Sequence, residues 1–306
     1  MTMRSLIPHK RDRGFTLIEA AIVIIVTAIV MAGVAIFIRI PVRGYVDSAA
    51  RADLADTADT ALRRMARDLR LALPNSVRVN TDGSGAYYIE ELLTRTGGRY
   101  LSQDDGATSG NYLDFFNASP NPLKFDIVGP IPTGEQTIQA GSDSVVVYNL
   151  GSGVPAGTPG DAYETTAGAM NRALISSING PTITMASNPF DAQISPKATS
   201  TQHRFQVISG PVTYRCDPNT GTVTRYWNYT ISYSQPLSIA ALTTGATAQS
   251  ALVATGISGN NGCSFTYSNA NSMSSALAIL RIKLASTDSG SSTVELFQQV
   301  HIDNTP

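Results

Sequence analysis

Histidine is nearly missing from this 306-residue chain: there are three, beside two cysteines and one tryptophan, and charged residues make up only 15% of it. These scarcities exclude a good deal. His9 sits in a basic N-terminal stretch, and His203 and His301 sit in strand-like runs, where a structural histidine is commoner than a catalytic one. Cys216 and Cys263 have neither a CxxC spacing nor a nearby histidine, so a zinc site lacks ligands. There is no GxSxG elbow, no HExxH, no phosphate-binding GxxxxGK[ST] and no dinucleotide GxGxxG. A formal net charge of −1, with no polybasic tract beyond the first residues, gives no footprint for nucleic acid. The expectation is a chain that is not an enzyme and needs no cofactor.

What the chain does have is a membrane-length apolar run near its start. Phe15 to Ile38 is 24 residues, or about 36 Å of helix against a hydrocarbon core of about 30 Å. Before it, Arg4, Lys10, Arg11 and Arg13 stand against Asp12 alone, a bias that keeps this end in the cytoplasm and sends the C-terminus outward. One carboxylate, Glu19, interrupts the run. An ionised side chain in hydrocarbon costs roughly 2.5 to 3.5 kcal/mol or more, so Glu19 implies a waiting cation. A secretory signal cut after a residue such as Ala35 would have a shorter apolar core and no early acid. A signal anchor in which Glu19 snorkels explains why the acid is tolerated but not the residues around it.

Those residues, Gly14 followed by Phe15-Thr16-Leu17-Ile18-Glu19, resemble the class III signal of type IV prepilins and type II secretion pseudopilins. The resemblance implies cleavage between Gly14 and Phe15 by a prepilin peptidase, N-methylation of Phe15, and pairing of the new Phe15 ammonium with Glu19 of a neighbouring subunit. It also implies a bacterial inner-membrane protein with an exported domain, whose partners are other major and minor pilins and the inner-membrane assembly platform. The implied fold is α+β, a long N-terminal helix packed on an antiparallel β-sheet domain. The expected divisions are a leader over 1–14, a transmembrane helix over 15–38, its amphipathic continuation over 39–73, and a β-rich domain over 74–306.

Past the membrane, Val46, Ala50, Leu54, Ala58, Leu62, Met65, Leu69 and Leu73 recur every three or four residues, an apolar stripe on a continuing helix. Asp59 with Arg63, and Arg64 with Asp68, have the spacing of exposed helical ion pairs. Pro41 with Gly44 should kink or loosen the helix, and Pro74 should stop it.

Short β-prone runs follow at Ala86–Leu93, Tyr112–Phe116, Val145–Leu150 and Gln202–Ile208, with loops expected at Gly97–Gly110 and Gly151–Gly160. The clearest hairpin joins Val212–Cys216 to Thr222–Trp227 through Asp217-Pro218-Asn219-Thr220-Gly221. A second joins two alternating runs, Ala276 to Leu284 and Val294 to Ile302, around a Ser286–Ser292 turn. Asp217, Asn219 and Gly221 echo half a calcium loop without its terminal acid, and Asp104-Asp105-Gly106 is a second weak calcium candidate; a plain turn is the better reading of both. Tyr226, Trp227, Tyr229 and Tyr233 are expected to pack on a sheet rather than to bind a sugar.

In an oxidising exported compartment the two cysteines read as a disulfide. Residues 204–236, 252–267 and 297–306 resemble the C-terminal part of minor-pilin-like biogenesis proteins of mannose-sensitive haemagglutinin pili, relatives of the J-type minor pseudopilins. That resemblance implies a minor subunit at or near a filament tip, and type II secretion is the alternative setting.

Overall fold

The computed structural model describes residues 14–106, 109–117, 119, 121–259, 261–268, 275–286 and 292–306. Most of the leader, and the interior of the Ser286–Ser292 turn, lie outside these residues. The chain divides into two units, one reaching to Ala50 and the other running from Arg51 to Pro306.

One long helix, α1, covers Leu17–Arg70 and passes unbroken through Pro41 and Gly44. Its last turns belong to the globular unit, where Ala58, Ala61, Leu62, Met65, Ala66 and Leu69 are buried in the core. Covering a side chain such as Met65 or Leu69 is worth about 1.5–3 kcal/mol, so the stripe alone holds this segment on the sheets. The helix stops at Arg70, before Pro74, because the backbone changes partner there: Leu73 N–H donates to the Leu92 carbonyl and Thr94 N–H to that of Leu71. Sheet pairing ends α1 before the proline is reached.

Twelve strands follow among the described residues, all paired antiparallel. They are β1 (Arg78–Thr81), β2 (Tyr87–Tyr100), β3 (Lys124–Val128), β4 (Ser144–Val146), β5 (Arg172–Asn179), β6 (Thr182–Met185), β7 (Arg204–Asp217), β8 (Thr222–Trp227), β9 (Gln249–Thr255), β10 (Cys263–Ser268), β11 (Ser275–Ala285) and β12 (Thr293–Asp303). The first nine form one sheet in the order β1-β2-β3-β6-β5-β4-β7-β8-β9, and β2 also pairs with β7. That extra pairing closes β2, β3, β6, β5, β4 and β7 into a ring around Phe125, Phe205, Ile175, Ile183 and Val207. Strands β10, β11 and β12 make a second sheet. It shares with α1 and the first sheet a core containing Ile89, Val212, Tyr214, Phe265, Leu280 and Ile282. The architecture is α+β, as the sequence predicts.

Both expected hairpins form. Val212 faces Trp227 and Asp217 faces Thr222 across β7 and β8, while Ala276 faces Ile302 across β11 and β12. The run expected at Val145–Leu150 is a strand only as far as Val146, and two further strand and loop expectations change. Tyr112–Phe116 is not a strand, because the Asp114 carboxylate collects the backbone N–H groups of Phe116 and Ser119 and turns the chain there. Gly97–Tyr100 belongs to β2 rather than to a loop; a Cβ at Gly98 would lie 3.0 Å from the Phe205 ring, so glycine lets that ring close over the strand.

Charge is buried beneath α1. Asp68 is not an exposed partner of Arg64: it is 3% exposed, accepts the Tyr214 hydroxyl at 2.7 Å and takes Arg225 Nε at 2.8 Å. Asp59 and Arg63 do pair, at 2.7 Å. Close by, Glu91 is fully buried, and among the described residues neither carboxylate oxygen has a hydrogen-bond partner. Burial, reinforced by the Asp68 charge, pushes its pKa well above the ordinary value of 4.5. The folded chain therefore keeps a proton on Glu91 that the unfolded chain releases at about pH 4.5, so this residue's contribution to stability falls as pH rises from there to the raised folded value. Glu91→Gln should match the parent at pH 4 and exceed it at pH 7 in urea unfolding; equal stability at both would refute a neutral Glu91.

Candidate processing and assembly site

The residues singled out at the N-terminus stand together at the start of α1. Gly14 is exposed and lies outside the helix, and Phe15 is 75% exposed. A Cβ built on Gly14 meets nothing within 4 Å, and its φ lies outside the left-handed region. Among the described residues, neither backbone strain nor packing requires glycine there.

Thr16 begins the helix. Its Oγ1 accepts the Glu19 N–H at 3.3 Å, its carbonyl accepts the N–H groups of Glu19 and Ala20, and its hydroxyl lies 3.5 Å from Glu19 Oε2. Thr16-x-x-Glu19 is the capping-box spacing, with the acid meeting the hydroxyl of the cap rather than its backbone N–H. The signature is visible in the sequence and gives Glu19 a local role beside the expected pairing with another subunit. A carboxylate in the first turn is also favoured by the positive end of the helix dipole.

From Leu17 onward the helix offers an apolar surface. Ile18, Ile22, Ile24, Ile25, Ile29 and Phe37 are each more than half exposed. Among the described residues this is one helix long and apolar enough to cross a membrane. Val46, on the expected stripe, is exposed as well.

Within the globular unit Cys216 and Cys263 are bonded to each other and buried, joining β7 of the first sheet to β10 of the second. The calcium candidates are otherwise engaged. Asp105 pairs with Arg99 and accepts the Ser102 N–H, while Asp217 takes Arg215 and the Asn219 N–H. Tyr226 and Tyr229 are buried, and the Tyr229 hydroxyl donates to Glu90 at 2.8 Å, which makes that pair part of the packing. Tyr233 is 39% exposed. His203 lies 3.5 Å from Asp105, and His301 is exposed on β12. No cluster of three or more potential metal-binding side chains occurs among the described residues.

Comparison with known proteins finds one family model, described as the prokaryotic N-terminal methylation motif, which matches residues 9–35. The match covers under a tenth of the chain and includes Gly14, Phe15 and Glu19. No curated protein and no solved structure matches.

Proposed function

We propose that this chain is a single-pass inner-membrane prepilin, cut by a prepilin peptidase between Gly14 and Phe15 and methylated at Phe15. It then enters a type IV filament as a minor, MshO-like subunit of the mannose-sensitive haemagglutinin type, in or near the tip. The methylation motif over residues 9–35 carries this reading. The exposed Gly14 supports it, since a glycine that nothing among the described residues requires suits a constraint set by another protein's active site. The protein's part is structural, with the catalysis performed on it, and its globular unit faces the periplasm or the cell surface. The C-terminal segments favour the pilus setting. The same motif serves a minor pseudopilin of type II secretion, which is the alternative.

The test is N-terminal mass spectrometry of membrane and sheared-filament fractions. A methylated Phe15 terminus in both is the expected result. Full-length protein alone, in cells with an active prepilin peptidase, would overturn the proposal, and a processed chain absent from sheared pili but required for secretion would favour the pseudopilin.

Glu19→Ala should leave processing intact and reduce incorporation more than tenfold, because breaking a desolvated ion pair typically costs about 3–5 kcal/mol. Undiminished recovery in sheared filaments would dismiss the pairing between Glu19 and a neighbour's Phe15 amine.

A further inference from the structure

A cleft of about 360 Å³ opens in the first sheet where β4 and β8 part company along β7. On that side of β7, β4 pairs with residues 206–208 and β8 with residues 212–217, so Ser209, Gly210 and Pro211 between them have no strand partner there. Leu92, paired with Pro211 on the other side, sends its N–H to Ser76 Oγ and takes the Leu73 N–H on its carbonyl, both away from β7. Pro211 therefore turns its own carbonyl toward the cleft, and it has no N–H to offer. A proline at an open edge resists an added strand. The cleft is left to a small ligand, and its volume is of the order such pockets have.

Among the lining residues Arg95 alone is charged. It stands at the irregularity in β2 between Thr94 and Thr96. Its side chain is 21% exposed, and its Nε lies 2.7 Å from Oδ2 of the fully buried Asp143. That oxygen also accepts the Gln139 N–H at 2.8 Å. The pair is close but misaligned: among the described residues Arg95 Nε, Asp143 Oδ1 and the adjacent Thr94 Oγ1 all lack a hydrogen bond. Nor do the terminal nitrogens of Arg95 donate to any group among those residues. Buried polar groups left unmatched in one place call for a partner from outside the fold. Asp143 braces one edge of the guanidinium, and the terminal nitrogens form a fork that matches a carboxylate in two parallel bonds. Around it Gln139, Ser142, Ser144 and Asn228 add amides and hydroxyls, and Ile208 and Ile231 add apolar surface.

We propose that this cleft binds a sugar acid, with its carboxylate on the terminal nitrogens of Arg95, its hydroxyls on the surrounding amides and serines, and its C–H face on the two isoleucines. The binding belongs to the globular unit alone and is separate from processing at Phe15.

The full-length protein in detergent micelles is titrated calorimetrically with galacturonate, with galactose, and with N-acetylalanine, which stands for the terminal carboxylate of a peptide. Saturable binding of galacturonate alone is the expected result. Arg95→Gln should weaken it at least tenfold, the loss of a charge-assisted pair. That change also leaves Asp143 without its cation, so a second variant keeps Arg95 and blocks the cleft. Thr247 is exposed at the cleft, and Thr247→Trp should abolish binding while the circular dichroism spectrum stays that of the parent. Absence of galacturonate binding would overturn the proposal, as would galactose or N-acetylalanine binding equally well. Galacturonate binding that survives either variant would overturn it too.

Discussion

Replacing Cys216 and Cys263 together with alanine should lower the stability of the globular unit by about 4 kcal/mol. The bond closes a loop with a sequence separation of 47, and the chain-entropy argument assigns that much to the freedom it removes from the unfolded chain. Its position adds a second effect. The two sheets share one buried core beneath α1, and this disulfide is a covalent tie between them. Without it, the β10–β11–β12 sheet is held by packing and by a few hydrogen bonds, such as Ser258 N–H to Lys283 carbonyl. The single tryptophan, Trp227, packs against the same core with the Arg225 guanidinium 4.8 Å from its ring centre, so its fluorescence during urea unfolding reports the loss. A change below about 1 kcal/mol would show that the unfolded chain is already restrained in another way.

Asp68→Ala should be nearly as damaging, at about 3–5 kcal/mol, the usual cost of removing one partner of a buried ion pair. Asp68 carries Arg225 Nε and the Tyr214 hydroxyl on the same oxygen, at 2.8 and 2.7 Å. Burial is the largest single influence on the Arg225 pKa and pulls it down, but the charges and hydrogen bonds of Asp68 and Tyr214 together leave it raised. Burial and the Asp68 charge both push the Tyr214 hydroxyl up, so it remains a donor. Taking Asp68 away strands both groups. It also removes the charge that helps keep Glu91 neutral, and an ionised Glu91 would then offer Arg225 a substitute. The loss in Asp68→Ala should therefore be smaller than the loss produced by adding the same change to Glu91→Gln. A double-mutant cycle on unfolding free energies measures that coupling, and strict additivity would show that Glu91 and Asp68 do not compete for Arg225.

Much of the fold is legible in the residues because it rests on simple periodicities. The apolar run and the stripe from Leu54 to Leu69 define α1, the turn residues Asp217 to Gly221 mark the first hairpin, and alternation marks the second, where one face enters a core. What escapes is set by distant partners. The closure of β2 through β7 into a ring depends on register shifts near Thr94, and the matching strands lie far apart in sequence. Tyr112–Phe116 has the composition of a strand, but one aspartate in the middle diverts its backbone hydrogen bonds. Asp68 has the spacing of a surface ion pair with Arg64, and only the arrival of β7 and β8 turns it into a buried anchor. At the N-terminus the residues Gly14 to Glu19, which lie inside the range matched by the methylation motif, are legible in the sequence. The capping of α1 by Thr16 and Glu19 has the Thr-x-x-Glu spacing in the sequence, but the apolar run around it points first to a membrane role.

One small junction bears on how the molecule carries mechanical load. Where the chain leaves α1, Asn75 adopts a left-handed conformation with φ of 61°. Its backbone N–H donates to Asn304 Oδ1, and its side chain donates to the carbonyls of Asn304 and Asn149. Asn149 in turn donates to the Pro74 carbonyl. A pull transmitted down the helix thus reaches the rim of the second sheet and the loop after β4 at the same moment, spreading the force over widely separated stretches of sequence instead of peeling one strand from its end. Clipping or displacing the final few residues would unfasten this knot, and the first element to yield under tension would be the exit of the helix rather than the sheets behind it.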